Sequence, residues 1–169
     1  MARMMLTGPL ADRDSWEASN CSIAKALDIV GTRSAILILR EAFYGATRFE
    51  QFARRVGITD AVASARLKEL TEAGIFEKVP YQEPGQRARS EYRLTEMGRD
   101  LLPTVLALLQ WGDRYLQPDG APLRLTDTDS GDPVTVDVRA ASGVGPDVRS
   151  GAPVDADHIE VAPARRRRR

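Results

Sequence analysis

Apolar residues recur along residues 20–116 first at helical and then at strand spacing, and the order of the segments they define carries most of the information. Ile23, Leu27 and Val30 fall at i, i+4 and i+7, with Asn20 or Ser22 as a cap and Gly31 as a stop, which predicts a first helix. A second starts at Thr32 or Ser34. Ile36, Leu39 and Phe43 form its stripe, Leu37 and Ile38 widen it until the helix is nearly all buried, and Gly45 ends it. A third begins near Thr47, with Phe49, Phe52 and Val56 inward and Arg48, Arg54 and Arg55 towards solvent. Gly57 supplies a turn, because a left-handed backbone costs glycine little, and Thr59 caps a fourth helix. There Ala63, Leu67 and Leu70 share one face, so at ~100° per residue Ala61, Ser64, Ala65 and Lys68 lie opposite, flanked by Asp60 and Arg66. After Gly74 come two strand-like runs, Ile75 to Tyr81 and Ser90 to Leu94, separated by the turn-rich QEPGQRAR.

The pattern then predicts one long helix from the Thr95–Gly98 capping region to about Leu116, bent or loosened at Pro103. Its apolar surface is wider than one small core needs. Two readings follow: a homodimer interface built from Ile23, Leu27, Leu102, Val105, Leu106 and Leu109, or a helix buried within its own monomer. From Gln117 large apolar residues thin out, and Leu123–Leu125, Val134–Val138 and Ile159–Val161 are the candidate short strands of a β-rich appendage with a disordered tail. The expected organisation is a loose arm over 1–19, where Trp16 is the one candidate anchor, a reading and dimerisation domain over 20–116, and an extension over 117–169.

Two short helices about a glycine turn, followed by a β-hairpin, describe a winged helix-turn-helix centred on residues 48–93: a mainly α fold with a small β-wing. Its partner would be double-stranded DNA. Small side chains at Ala61, Ser64 and Ala65 let the fourth helix approach the major groove closely, and Thr59 and Asp60 stand at its entry. No long bidentate reader sits at the centre of that face, so base specificity from this helix is modest. Arg48, Arg54, Arg55, Arg66 and Lys68 are expected at phosphates, and Gln86, Arg87 and Arg89 at the wing tip suit a narrow minor groove.

Composition narrows the alternatives. The chain is long enough for one domain and an appendage. No run approaches the ~18 apolar residues of a membrane span, and acidic residues stand where a signal peptide would be apolar, so a cytoplasmic protein is expected. The single cysteine, Cys21, and the single histidine, His158, leave no disulfide framework, metal cluster or catalytic triad to assemble, and no cofactor is expected. A cysteine enzyme would have to pair Cys21 with His158, far along the chain. The formal charge of zero is segmented: residues 20–116 carry 14 basic and 12 acidic groups, residues 117–164 carry 3 and 9, and Arg165–Arg169 follow. That terminal run is either a sequence-independent phosphate contact or a solvated tail. Arginine outnumbers lysine 21 to 3, a sign of a GC-rich genome.

The span from Cys21 to Leu116 resembles the HxlR family of bacterial winged-helix regulators, relatives of the MarR group. The resemblance rests on Cys21, on AKALDIVG over 24–31, ILILR over 36–40, RFEQF over 48–52, Ile58 to Leu70, Gly74, and EYRLTEMG over 91–98. Arg33 stands where the family usually has tryptophan, and Ala63 where it has a larger apolar residue. The resemblance implies a homodimer on an inverted-repeat operator, most often repressing. It also implies a second role for Cys21, since cysteines at this position in several relatives sense electrophiles or oxidants; the alternative is a small residue filling a packing site. Residues 121–162 resemble an extension of some actinobacterial members, without its cysteine pairs. A different class of reading also stands: a winged-helix module that binds protein and has lost DNA, given the alanine-rich groove face.

Overall fold

Four helices precede the first strand: α1 (Ser22–Val30), α2 (Arg33–Phe43), α3 (Phe49–Val56) and α4 (Asp60–Glu72). The hairpin β1 (Phe76–Tyr81) and β2 (Arg89–Leu94) follows, then α5 (Glu96–Arg99), α6 (Leu102–Leu116), and a second pair, β3 (Leu123–Asp127) and β4 (Ile159–Pro163). This computed structural model describes residues 12, 21–82, 85, 88–138 and, as backbone, 159–163. The expectations for the arm around Trp16, for Gln86 and Arg87, for His158 and for Arg165–Arg169 lie outside the described residues. Among the described residues no helix is long and apolar enough to cross a membrane.

The core gathers Val30, Ala35, Ile38, Leu39, Phe52, Val56, Leu67, Leu70, Ile75, Phe76 and Val105, so every element from α1 to β1 and also α6 contributes. Helix α2 is less enclosed than its stripe predicts: Ala35, Ile38 and Leu39 are buried, while Ile36, Leu37 and Phe43 are half-buried. It also carries the buried Glu41, held by the neighbouring Arg40 at 2.6 Å. At α1 the cap position falls on Cys21, half-buried and extended, whose side chain makes no capping bond; Ser22 is already helical.

The wing is anchored by aromatic packing. Phe52 of α3, Phe76 of β1 and Tyr92 of β2 meet edge to face, with centroids 5.9 to 6.4 Å apart. β1 and β2 pair antiparallel from Phe76 opposite Leu94 to Tyr81 opposite Arg89, and the Tyr92 amide donates to the Thr47 carbonyl at 2.7 Å. Thr95 closes the hairpin. Its hydroxyl donates to the Gly74 carbonyl at 2.6 Å and accepts from the Gly98 amide at 3.1 Å. Gly98 is required there, because a Cβ would lie 2.3 Å from the Ile75 carbonyl oxygen.

The single long helix expected from Thr95 to Leu116 is instead two, α5 and α6, separated at Asp100–Leu101. Pro103 explains the break: it has no amide to give the carbonyl of Arg99, and its ring would crowd that carbonyl. Placed in the first turn of α6, it loses nothing. Val105 and Leu106, expected at a dimer interface, are 6% and 7% exposed and belong to the interior of their own chain.

Of the three candidate strands in the extension, Leu123–Leu125 and Ile159–Val161 fall in β3 and β4, which pair antiparallel. Val134–Val138 forms no strand; Pro133 makes one bridge to Thr126, and the run is held by a side chain instead. The Gln110 amide of α6 donates to the Val134 carbonyl at 2.9 Å and accepts from the Val136 amide at 3.1 Å.

Candidate nucleic-acid interface

The α3 entry is fixed by Gln51, whose side-chain oxygen accepts from the Thr47 amide at 2.9 Å and the Arg48 amide at 3.0 Å. These are donors a helix start would otherwise leave unpaired. Gly57 then takes φ 71°, ending α3 in the left-handed conformation and reversing the chain within a few residues. The Thr59 hydroxyl accepts from the Val62 amide at 3.3 Å and starts α4.

Helix α4 divides as its sequence predicts. Ala63, Leu67 and Leu70 are fully buried. Asp60, Ala61, Ser64, Ala65 and Lys68 are exposed, as is Thr59 before them. The outward face is therefore small at its centre and free to meet a groove wall. Val62, 44% exposed beside that face, is an apolar side chain that the helical pattern did not single out.

The cations differ from expectation in their partners. Arg54 and Arg55, in the last turn of α3, are exposed, and among the described residues neither has an ion-pair partner. Arg66 is not a solvent-facing phosphate hook: its side chain is 22% exposed, pairs with Glu69, and buries an Nε that has no partner. Lys68 lies 3.7 Å from Glu72 across one helical turn. Arg48 stacks its guanidinium over the Tyr81 ring, 4.9 Å from the centroid. Arg89, expected at the wing tip, is the first residue of β2 and flanks the tip loop at the far end of the ladder, where it pairs with Glu50 of α3 at 3.3 Å. Glu50 and Tyr81 thus contact two of the candidate residues although sequence patterning passed over both, since their partners are distant in the chain. Among the described residues, the groups whose acidity is displaced, Tyr44 and Asp113, are both raised chiefly by burial and belong to the end of α2 and to α6.

A second exposed surface is apolar. Ile23 and Leu27 of α1 are 72% and 57% exposed, and Leu108, Trp111, Tyr115 and Leu116 of α6 are between 51% and 64% exposed. Leu102 and Leu109 are half-buried.

Comparison with known proteins bears on this arrangement directly. A family model described as HxlR-like helix-turn-helix matches residues 29–120. An uncharacterized HTH-type transcriptional regulator of Mycobacterium tuberculosis is 50% identical over 105 residues, covering 62% of this chain and 65% of that protein. The chain thus spans a little under two thirds of the length of that relative. The HTH-type regulator YdeP of Bacillus subtilis, also uncharacterized, is 30% identical over 105 residues, covering 62% of this chain and 80% of its own. Among solved structures, the transcription-factor candidate PA1607 superposes with a TM-score of 0.66 at 41% identity, covering 74% of this chain and 87% of that one. The redox regulator HypR in its reduced form gives a TM-score of 0.51 at 30% identity, covering 56% and 93%. With α3 and α4 as its helix-turn-helix and β1–β2 as its wing, the chain belongs to the HxlR-like helix-turn-helix family of transcriptional regulators.

Proposed function

We propose that this chain regulates transcription by binding an inverted-repeat site on double-stranded DNA as a homodimer, most simply as a repressor. The observation that carries the reading is the division of α4, whose fully buried Ala63, Leu67 and Leu70 fix the helix while the small outward face of Ala61, Ser64 and Ala65 stays open. Arg54 and Arg55 supply phosphate contacts that set register, and Arg48 and Arg89 add charge at the loop end of the wing. Residues 20–116 form the reading and dimerising unit, with 117–169 as an extension. The second subunit docks on Ile23, Leu27, Leu102 and Leu109 together with the exposed α6 residues Leu108, Trp111 and Tyr115. Two-fold symmetry then separates the half-sites by about one DNA turn, ~34–36 Å.

Fluorescence anisotropy with duplexes from the region upstream of its own gene tests this. Binding should weaken steeply with salt, and Arg54→Ala and Arg55→Ala should each reduce the slope of log K against log salt by about 0.9. Binding that is absent, or insensitive to salt, would favour the protein-binding module instead.

A role for Cys21 as the responder to an electrophile or oxidant is supported by its half-exposed place at the cap of α1 and by the likeness to the redox regulator HypR. An alkylating quinone should release DNA from the wild type and not from Cys21→Ser; equal release from both ends this part of the reading.

A further inference from the structure

Glu50 stands in the first turn of α3, and its Oε1 lies 3.3 Å from Nη1 of Arg89. Arg89 is directly opposite Tyr81 in the β1–β2 ladder, and the Tyr81 ring carries the guanidinium of Arg48, the N-cap residue of α3. Two residues at the start of α3 therefore grip one cross-strand pair at the loop end of the wing, one through charge and one through a ring face. The carboxylate contact offsets the Arg89 cation at the loop end of the wing.

We infer that Glu50 is an internal stand-in for a DNA phosphate: it occupies Arg89 in the free protein and must yield it when a duplex binds, so it sets how tightly the wing holds DNA. This rests on the DNA-binding reading above. The pair is suited to exchange. Both side chains are more than half exposed, 56% for Arg89 and 65% for Glu50, so water and salt screen their attraction. A phosphate can accept two parallel bonds from a guanidinium, and a duplex presents many such acceptors at high charge density. After release, the Glu50 carboxylate remains beside the incoming backbone and repels it. Glu50 is thus a positioning and affinity-setting residue whose removal strengthens binding. A strut that merely holds the wing would show the opposite sign.

The test uses the full-length protein and a labelled mixed-sequence duplex three helical turns long, titrated by anisotropy at several salt concentrations, with thermal melting to check that each variant is folded. Glu50→Gln should bind roughly fivefold tighter at about 0.1 M salt, with the salt slope steeper by about 0.9, the signature of one more phosphate contact. Against an Arg89→Gln background the same change should give little or no gain. A gain that survives in that background would assign the effect to net charge and overturn the inference. So would unchanged or weaker binding by a folded Glu50→Gln protein, which would make the pair a strut, while leaving DNA binding by the wild type intact. If neither wild type nor variant binds DNA in a salt-dependent way, the DNA-binding reading falls and takes the exchange with it.

Discussion

Helices α4 and α6 both lay one side against the same core, yet they leave opposite chemistry outside. Beyond its buried Ala63, Leu67 and Leu70, α4 presents Ala61, Ser64, Ala65 and Lys68. Beyond its buried Val105 and Leu106, α6 presents Leu108, Trp111, Tyr115 and Leu116. Small and polar groups are cheap to keep hydrated and let a polyanion come close. Large apolar groups left in water are a standing cost of ~25 cal/mol per Å² that a second apolar surface would relieve. Packing against one core therefore does not decide what a helix is for; the residues it leaves exposed do.

The comparison can be broken most severely from the inside. Leu67→Ala should lower the unfolding free energy by about 2–5 kcal/mol in urea titration, because a fully buried leucine leaves a cavity that its neighbours fill only in part. A loss below about 1 kcal/mol would mean that α4 is not seated as described, and its outward face would lose its definition.

A smaller effect on folding and a larger one on assembly are expected from α6. Replacing Leu108 and Trp111 together by serine should leave the melting temperature of the subunit nearly unchanged, since both side chains are more than half exposed. It should weaken self-association by roughly tenfold or more in sedimentation equilibrium, as expected where an exposed aromatic anchors an interface. Lower thermal stability with unaltered association would place this face inside its own subunit's packing.

What the sequence revealed tracks how local each determinant is. The α4 division was legible because Ala63, Leu67 and Leu70 set a period within one uninterrupted helix, and the cap at Thr59 and turn at Gly57 are local chemistry. The phase of α6 was not. With apolar residues on nearly every side, the pattern fixes no inward direction, and the break that Pro103 forces was read as a bend. Val105 and Leu106 were accordingly assigned outward, whereas Trp111 was passed over. The Glu50–Arg89 pair joins residues 39 apart, and nothing in either neighbourhood announces the other. Arg66 was misplaced for a related reason: its position on the flank of α4 was clear, but the reach of its stem back towards Glu69 depends on a rotamer that periodicity does not specify.

The Gln110 amide gives the extension an unusual kind of mooring. By donating to the Val134 carbonyl and accepting from the Val136 amide, one side chain offers the passing backbone the two bonds that a residue of a neighbouring strand would offer. Among the described residues beyond α6, Val134 is thus held on both sides, its carbonyl by Gln110 and its amide by the Leu125 carbonyl at 3.0 Å. The mooring therefore links the turn that follows β3 to α6 through one side chain, and replacing Gln110 would release both backbone bonds at once.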